Sequence, residues 1–486
     1  MFDKLKELTK DTAIYGISTM VGRFINFLLV PFYTNIFLPE QYGIITNIFA
    51  FVGIMNIVFI YGMDSAYLKF ASTQEVGDKK DNFSTPFISI FFTSLLLSLI
   101  IYSAGIPINK MLAVPGNYNY LLIFVILILF LDANTVVPFI KLRLERKAKK
   151  FAFIKTISIL INVGLTLLLI LKLDFGIEAV FISNVAASLA SLILLLPDII
   201  SELKFSFNKK LFHRLLKFGL PYLPAGFSLM LIQVIDRPIM EHLRGLSELG
   251  IYQANYKLGI FMMLFVNMFQ FAWQPFFLQN AKEINAKEIF AKVLTYFTIV
   301  GSVILVALSL FINDFVQWKI FGRTIIGPDY WAGTFIVPVV LLAYLFNGFY
   351  VIFNAGIYIK EKSIYAPIAT GIAAFSNIVF NLLLIPPFGI MGAAFATLIS
   401  YIVMSGGLYF VTQKFYKIEY EQKKILKIFL LISIAAVVFY SLGDFAMPFY
   451  SRILLLVGFL LSLAVFIIDK SEIKFFKQRL HRKNKW

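Results

Sequence analysis

The sequence predicts an all-α polytopic membrane protein of about 14 transmembrane helices, arranged as two six-helix lobes in parallel pseudo-symmetry plus two C-terminal helices. Three observations predict it: too little charge for a soluble chain of this size, a series of apolar stretches of spanning length, and basic residues confined to alternate connections. Of 486 residues, 59% are hydrophobic, 17% aromatic and 15% charged, with a mean hydropathy of +0.83. Soluble domains carry about 25% charged residues, so this composition excludes a soluble enzyme, a disordered scaffold and a nucleic-acid-binding module. The absence of Cys removes disulfides, thiolate metal sites and cysteine nucleophiles. His213, His242 and His481 stand too far apart in sequence to suggest a metal centre. No cofactor is expected.

Crossing the hydrocarbon layer takes about 20 mostly apolar residues. Stretches of that kind run near 12–37, 41–66, 83–106, 118–141, 152–172 and 176–197, then near 215–241, 248–279, 289–312, 334–358, 363–386 and 389–412. A last pair follows near 425–445 and 450–469. Ahead of the first, Phe2, Leu5 and Leu8 recur at helical spacing beside Lys4, Lys6 and Lys10, which suits a short helix on the membrane surface or a simple charged leader.

Loop charge checks this series independently. Cytoplasmic loops collect Lys and Arg. With the N-terminus inside, the inner connections and tails hold about 32 of them, among them Lys141, Arg143, Arg146, Lys147, Lys149 and Lys150, and the outer connections about 6. Both termini are therefore expected in the cytoplasm, the protein being multi-pass in the bacterial inner membrane. The net charge of +17 is spread over short loops that face anionic headgroups, so membrane lipids are its partners and nucleic acid is not.

A weak internal repeat divides the chain. Residues 30–46, VPFYTNIFLPEQYGIIT, laid ungapped on 237–253, RPIMEHLRGLSELGIYQ, place Pro31 on Pro238, Gly43 on Gly250 and Ile44 on Ile251. Phe175-Gly176-Ile177 likewise echoes Phe388-Gly389-Ile390. An even number of spans per half gives the halves the same orientation. The expected organisation is an N-terminal lobe over 1–197, a cytoplasmic linker over 198–214, a C-terminal lobe over 215–412, and the extra pair with a basic tail over 413–486.

Ionisable groups in the spans are the candidates for function, because each costs at least about 2.5–3.5 kcal/mol at the bilayer centre. Arg23 falls near the middle of the first span and Asp132 at a similar depth in the fourth; Asp236 and Arg237 lie toward one end of the seventh, and Lys257 in the eighth. Asp64 and Lys155 are nearer span ends. One reading is a wet vestibule lined by Arg23, Arg237 and Lys257, holding a phosphate or pyrophosphate to which the guanidinium fork is suited. The other is internal pairing, Arg23 with Asp132 and Asp236 with Arg237 or Lys257, which would only pin helices together. Asp236 is expected to orient its cationic neighbours, and Lys155 to reach toward headgroups. Asn26, Gln253 and Asn255, with Gln233, Gln270 and Gln274, offer amides either to sugar hydroxyls or to neighbouring helices. Pro31, Pro221, Pro224, Pro238 and Pro275 should break or bend their spans.

The sequence lacks a GxxxxGK[ST] phosphate loop, and its connections are short, without paired carboxylates or His at a membrane face. An enzyme is not expected.

Three stretches carry a family likeness: PEQYGIITNIFAFVGIMNIVFIYGMDSAYLKFAS (39–72), IDRPIMEHLRGLSELGIYQANYKLG (235–259) and SNIVFNLLLIPPFGIMGAAFATLIS (376–400). In these the chain resembles the bacterial polysaccharide-biosynthesis flippases, translocases of lipid-linked O-antigen and capsule units within the multidrug/oligosaccharidyl-lipid/polysaccharide exporter superfamily. The resemblance implies a V-shaped pair of lobes around a central cavity. It implies alternating-access flipping of undecaprenyl-pyrophosphate-linked oligosaccharide from the cytoplasmic to the outer leaflet, with a glycan polymerase or glycosyltransferases as partners. It also implies that Arg23, Arg237 and Lys257 neutralise the pyrophosphate, with Asp236 and Lys257 part of the family pattern. A flippase for the peptidoglycan precursor needs the same cavity and is the alternative; a cation-coupled drug exporter of the superfamily would want acidic or aromatic walls. A sugar-transfer enzyme is the reading from another class.

Overall fold

A computed structural model describes residues 22, 24, 25 and 27–468, apart from residues 282, 321, 363 and 443–446. Arg23, Asn26, the surface-helix region of the N-terminus and the basic tail beyond 468 lie outside the described residues.

The described chain is helical almost throughout, with one small antiparallel hairpin pairing β1 (Lys319–Ile320) with β2 (Arg323–Thr324). A helical stretch over 27–34 is followed by α1 (Pro39–Ile60), α2 (Met63–Thr73), α3 (Lys79–Ser103), α4 (Leu121–Leu144), α5 (Ala148–Leu173) and α6 (Glu178–Glu202). The second half holds α7 (Lys209–Gly219), α8 (Leu223–Val234), α9 (Asp236–Arg244), α10 (Leu246–Tyr256), α11 (Ile260–Asn280), α12 (Ala286–Gln317), α13 (Val337–Ile359) and α14 (Tyr365–Phe415). Last come α15 (Gln422–Ser441) and α16 (Phe449–Phe466).

Among the described residues eleven helices are long and apolar enough to cross a membrane, or twelve when the bent pair Lys209–Tyr222 and Gly226–Arg244 is taken as one span. This falls short of the expected series for two reasons. The first stretch, 12–37, is described only in part, and α14 counts once although it covers the stretches 363–386 and 389–412. At 51 residues α14 is far longer than the hydrocarbon layer is thick. It is broken where expected from the repeat, at Gly389, whose φ of 53° and ψ of −132° no helix contains.

The prolines divide into two groups. Pro221 and Pro224 stand at a bend of 41° in the seventh span, Pro221 within the 3₁₀ turn Leu220–Tyr222. Pro238 occupies the first turn of α9, where its missing N–H costs nothing, and Pro275 lies inside an unbroken α11. The linker is shorter than expected. With α6 running to Glu202 and α7 starting at Lys209, only 203–208 connects the lobes, and it is strapped to α3 by Lys204 N donating to Ser84 Oγ (2.7 Å) and Asn208 N to Thr85 Oγ1 (3.3 Å).

Within each lobe the helices approach over small and polar residues, as bilayer packing requires when lipid is as apolar as the side chains. Ser94, Ser183, Ser188 and Ser191 are buried in the first lobe, where Asn134 Nδ2 donates to Ser94 Oγ at 3.2 Å. Large apolar side chains such as Leu426, Leu454 and Val465 face outward on α15 and α16. That pair is fastened to α12 by Arg452, which bonds both carboxylate oxygens of Asp314 and the Leu310 carbonyl (3.2 Å) between the rings of Phe311 and Phe449.

The lobes meet at both ends. At the hairpin end α1 crosses α10 at Gly43 and Gly250, and the hairpin segment is tied to the 27–34 helix and its exit. Asn35 Nδ2 donates to the Thr324 carbonyl (2.7 Å), Gly327 N to Thr34 Oγ1 (3.1 Å) and Tyr330 Oη to the Phe37 carbonyl (2.7 Å). At the linker end Gly62, at φ 76°, lies against Gly219 so closely that a Cβ there would stand 2.1 Å from the Gly219 carbonyl oxygen. Beside them Phe70 packs edge-on to Phe218, and Lys69 Nζ sits 4.4 Å from the centre of that ring.

Candidate functional site

A cavity of about 260 Å³ is lined by Phe27 of the first half and by Arg237, Gln253, Tyr256, Lys257, Ile260, Met263 and Tyr344 of the second. Local breaks in the helices put the polar groups there. The seventh span is interrupted at Ile235, which starts a new helix at Asp236 and presents Arg237 in its first turn. The eighth passes from α10 into the 3₁₀ turn Lys257–Gly259 before resuming as α11. Gly259 permits this turn to press on α13, since a Cβ would come within 2.6 Å of Val340 Cγ1. A 3₁₀ turn inside a span is a common mark of a functional hinge.

Three residues singled out in sequence thus share one cavity. Lys257 Nζ donates to Tyr42 Oη of the opposite lobe at 2.8 Å and lies 5.2 Å from the centre of the same ring. Gln253 is wholly buried, and neither its amide nitrogen nor its amide oxygen meets a hydrogen-bond partner. The Arg237 Nε is likewise without one. Two positive side chains converging on one enclosed space repel each other, and an anion between them removes that cost.

Of the expected internal pairs, that of Arg23 with Asp132 lies outside the described residues, and that of Asp236 with Arg237 or Lys257 is not formed among the described residues. Asp236, 2% exposed, accepts from Tyr252 Oη at 2.7 Å instead of forming an ion pair with Arg237 or Lys257. Lying next to Arg237 in sequence, it offsets part of the positive charge from behind the cavity. Asp132 accepts from Ser188 Oγ at 2.6 Å within the first lobe, and Lys155 lies over the Phe139 ring at 4.1 Å. Asp64 is exposed in the first turn of α2 and does not line the cavity.

Of the two roles the sequence left open for Asn255, the structure shows the bracing one. Fully buried, it donates from Nδ2 to the Ile251 carbonyl (2.9 Å) and the Tyr330 carbonyl (2.8 Å), and so braces α10 against the segment that follows the hairpin. Asn47 of α1 does the same in the first lobe, donating to the Leu112 carbonyl at 2.9 Å. Sequence reasoning missed Tyr42, Tyr252 and Tyr344. Each is a tyrosine in an apolar span, and only its position after folding sets it apart from the other tyrosines there.

The architecture is that of a polytopic all-α membrane protein. It is similar to the lipid II flippase MurJ in its inward closed conformation, at a TM-score of 0.72 and 20% identity over 93% of this chain and 98% of that one. It is also similar to an inward-facing multidrug resistance MATE family transporter of the MOP superfamily, at a TM-score of 0.64 and 12% identity over 81% and 94% of the two chains. An uncharacterized membrane protein of Haemophilus influenzae is 24% identical over 404 residues, 79% of this chain and 94% of that protein. The sequence pattern of the family described as polysaccharide biosynthesis protein matches residues 34–279. The chain belongs to that polysaccharide biosynthesis family.

Proposed function

We propose that this protein flips a lipid-linked oligosaccharide, carried on undecaprenyl pyrophosphate, from the cytoplasmic to the outer leaflet of the bacterial inner membrane by alternating access. One observation carries the reading: Arg237 and Lys257 enter a single interlobe cavity, neither in an ion pair with a described carboxylate, beside a Gln253 whose amide is unpartnered. A diphosphate supplies the missing acceptors, and sugar or phosphate oxygens supply partners for the amide. Arg23, which lies outside the described residues, is assigned to the same set from the family resemblance. The linker end is cytoplasmic, because the basic connections cluster there. The chain binds and moves its substrate without bond chemistry, and the enzymes that build or polymerise the glycan act on either side of it.

Reconstituted vesicles test this. Wild type exposes a lipid-linked oligosaccharide to an external glycosidase, and Arg23→Ala or Arg237→Ala slows that exposure at least tenfold while inserting normally. Wild-type rates in both variants would refute the assignment. The likeness to a lipid II flippase favours a second substrate, the peptidoglycan precursor. Rescue of cells depleted of their own precursor flippase would select it.

A further inference from the structure

The eighth span and α13, which supply most of the lining of the anion cavity, enclose a second pocket of about 70 Å³ toward the linker end, bordered by Gln270, Trp273, Gln274, Tyr350, Asn354 and Tyr358. Its lining gathers three amides and three hydrogen-bonding aromatics, with Phe277 and Val351, from a helix pair rich in Phe, Leu, Val and Ile. Trp273 is 3% exposed, held by stacking on Phe269 and Phe276, and its Nε1–H meets no acceptor. The buried Asn354 Oδ1 meets no donor. An orphaned donor and an orphaned acceptor on one small pocket each cost about 1–3 kcal/mol and are normally matched by a ligand or water.

We propose that this pocket is a subsite for a neutral sugar of the transported glycan, separate from the diphosphate cavity. A hydroxyl or acetamido group accepts from Trp273 and donates to Asn354, filling the pocket. The ring itself lies outside, against Tyr358 and the exposed amides of Gln270 and Gln274. Aromatic faces flanked by amides suit a pyranose, which has an apolar face and a polar rim. Lys257 and Trp273 are about 24 Å apart along the helix at 1.5 Å per residue. The two sites together therefore select a carrier lipid bearing several sugars over one bearing a single sugar. This inference rests on the lipid-linked glycan reading above.

The test is binding of two synthetic probes to the full chain in detergent: a short-chain prenyl diphosphate carrying one N-acetylglucosamine, and the same lipid carrying five. Wild type is expected to bind the longer probe about tenfold more tightly, as two net hydrogen bonds allow. Trp273→Phe and Asn354→Leu are expected to erase that preference, and Lys257→Ala to weaken both probes and keep it. Gln274→Leu, at an exposed position, repeats the test without touching packed side chains. Equal wild-type affinity for the two probes, or a preference that survives Trp273→Phe and Gln274→Leu, overturns the subsite alone. Failure of wild type to bind either probe overturns the lipid-linked glycan reading and the subsite with it.

Discussion

Gly43 and Gly250 face one another across the junction of the lobes, each against the other's helix. A Cβ on Gly43 would stand 2.0 Å from the Leu246 carbonyl oxygen, and one on Gly250 would stand 1.9 Å from the Pro39 carbonyl oxygen. In the alignment of the halves Gly43 corresponds to Gly250 and Pro39 to Leu246, so the contact is its own mirror under the internal symmetry. Such a reciprocal contact has the form of a self-complementary dimer interface. Backbone touches backbone there, and no larger residue fits.

Gly250→Val is expected to hold the hairpin end apart. Spin labels across α1 and α10 should report a widened separation, and flipping should fall at least tenfold with insertion unchanged. An unaltered distance would show that the end closes by another route.

Lys257 and Tyr42 form a second contact across the lobes, and an arriving anion competes with Tyr42 for the ammonium. Tyr42→Phe removes the acceptor and frees the lysine. Binding of a prenyl diphosphate should tighten several-fold, in line with about 0.5–1.5 kcal/mol for one hydrogen bond. Calorimetry in detergent reads it directly, and weaker binding would mean that the hydroxyl contacts the ligand.

Arg237 is distinguished from a plain positive charge by its planar fork. Arg237→Lys should weaken diphosphate binding about tenfold, and Arg237→Ala more than that, since a bidentate contact is lost before the charge is. Equal binding by the lysine variant would reduce the role of Arg237 to electrostatics.

Arg452 fastens the last two helices through Asp314. Arg452→Ala leaves that carboxylate and the Leu310 carbonyl without their donor. Because Asp314 is partly exposed, the loss should be about 1–3 kcal/mol, less than for a fully buried pair. The melting temperature should drop by several degrees while diphosphate affinity stays at the wild-type level.

Most of the architecture was legible in the residues because a bilayer imposes length and charge rules that act on whole segments. The span near 121–144, for instance, ends in Lys141 and Arg143, as its proposed cytoplasmic terminus should. Gly43 and Gly250 were visible as a repeat, though not as a contact, since self-alignment carries no distances. Arg237, Gln253 and Lys257 stood out because polar groups are costly in a span. Asn255 stood out for the same reason and serves a different end, bracing the hairpin segment, because an amide that satisfies a carbonyl looks identical in sequence to one that awaits a ligand. Tyr42 was invisible among 23 tyrosines. Its importance comes from which lysine lies opposite.

The bonds from Asn35, Thr34 and Tyr330 around the β1–β2 hairpin make a clasp that the proposed alternating access would undo each time the chain opens on that side. With the proposed orientation the clasp lies at the outer face of the inner membrane, in the compartment that the translocated glycan enters. A binder that reaches that compartment and grips the hairpin in its fastened form would stall the proposed cycle without having to enter the cytoplasm.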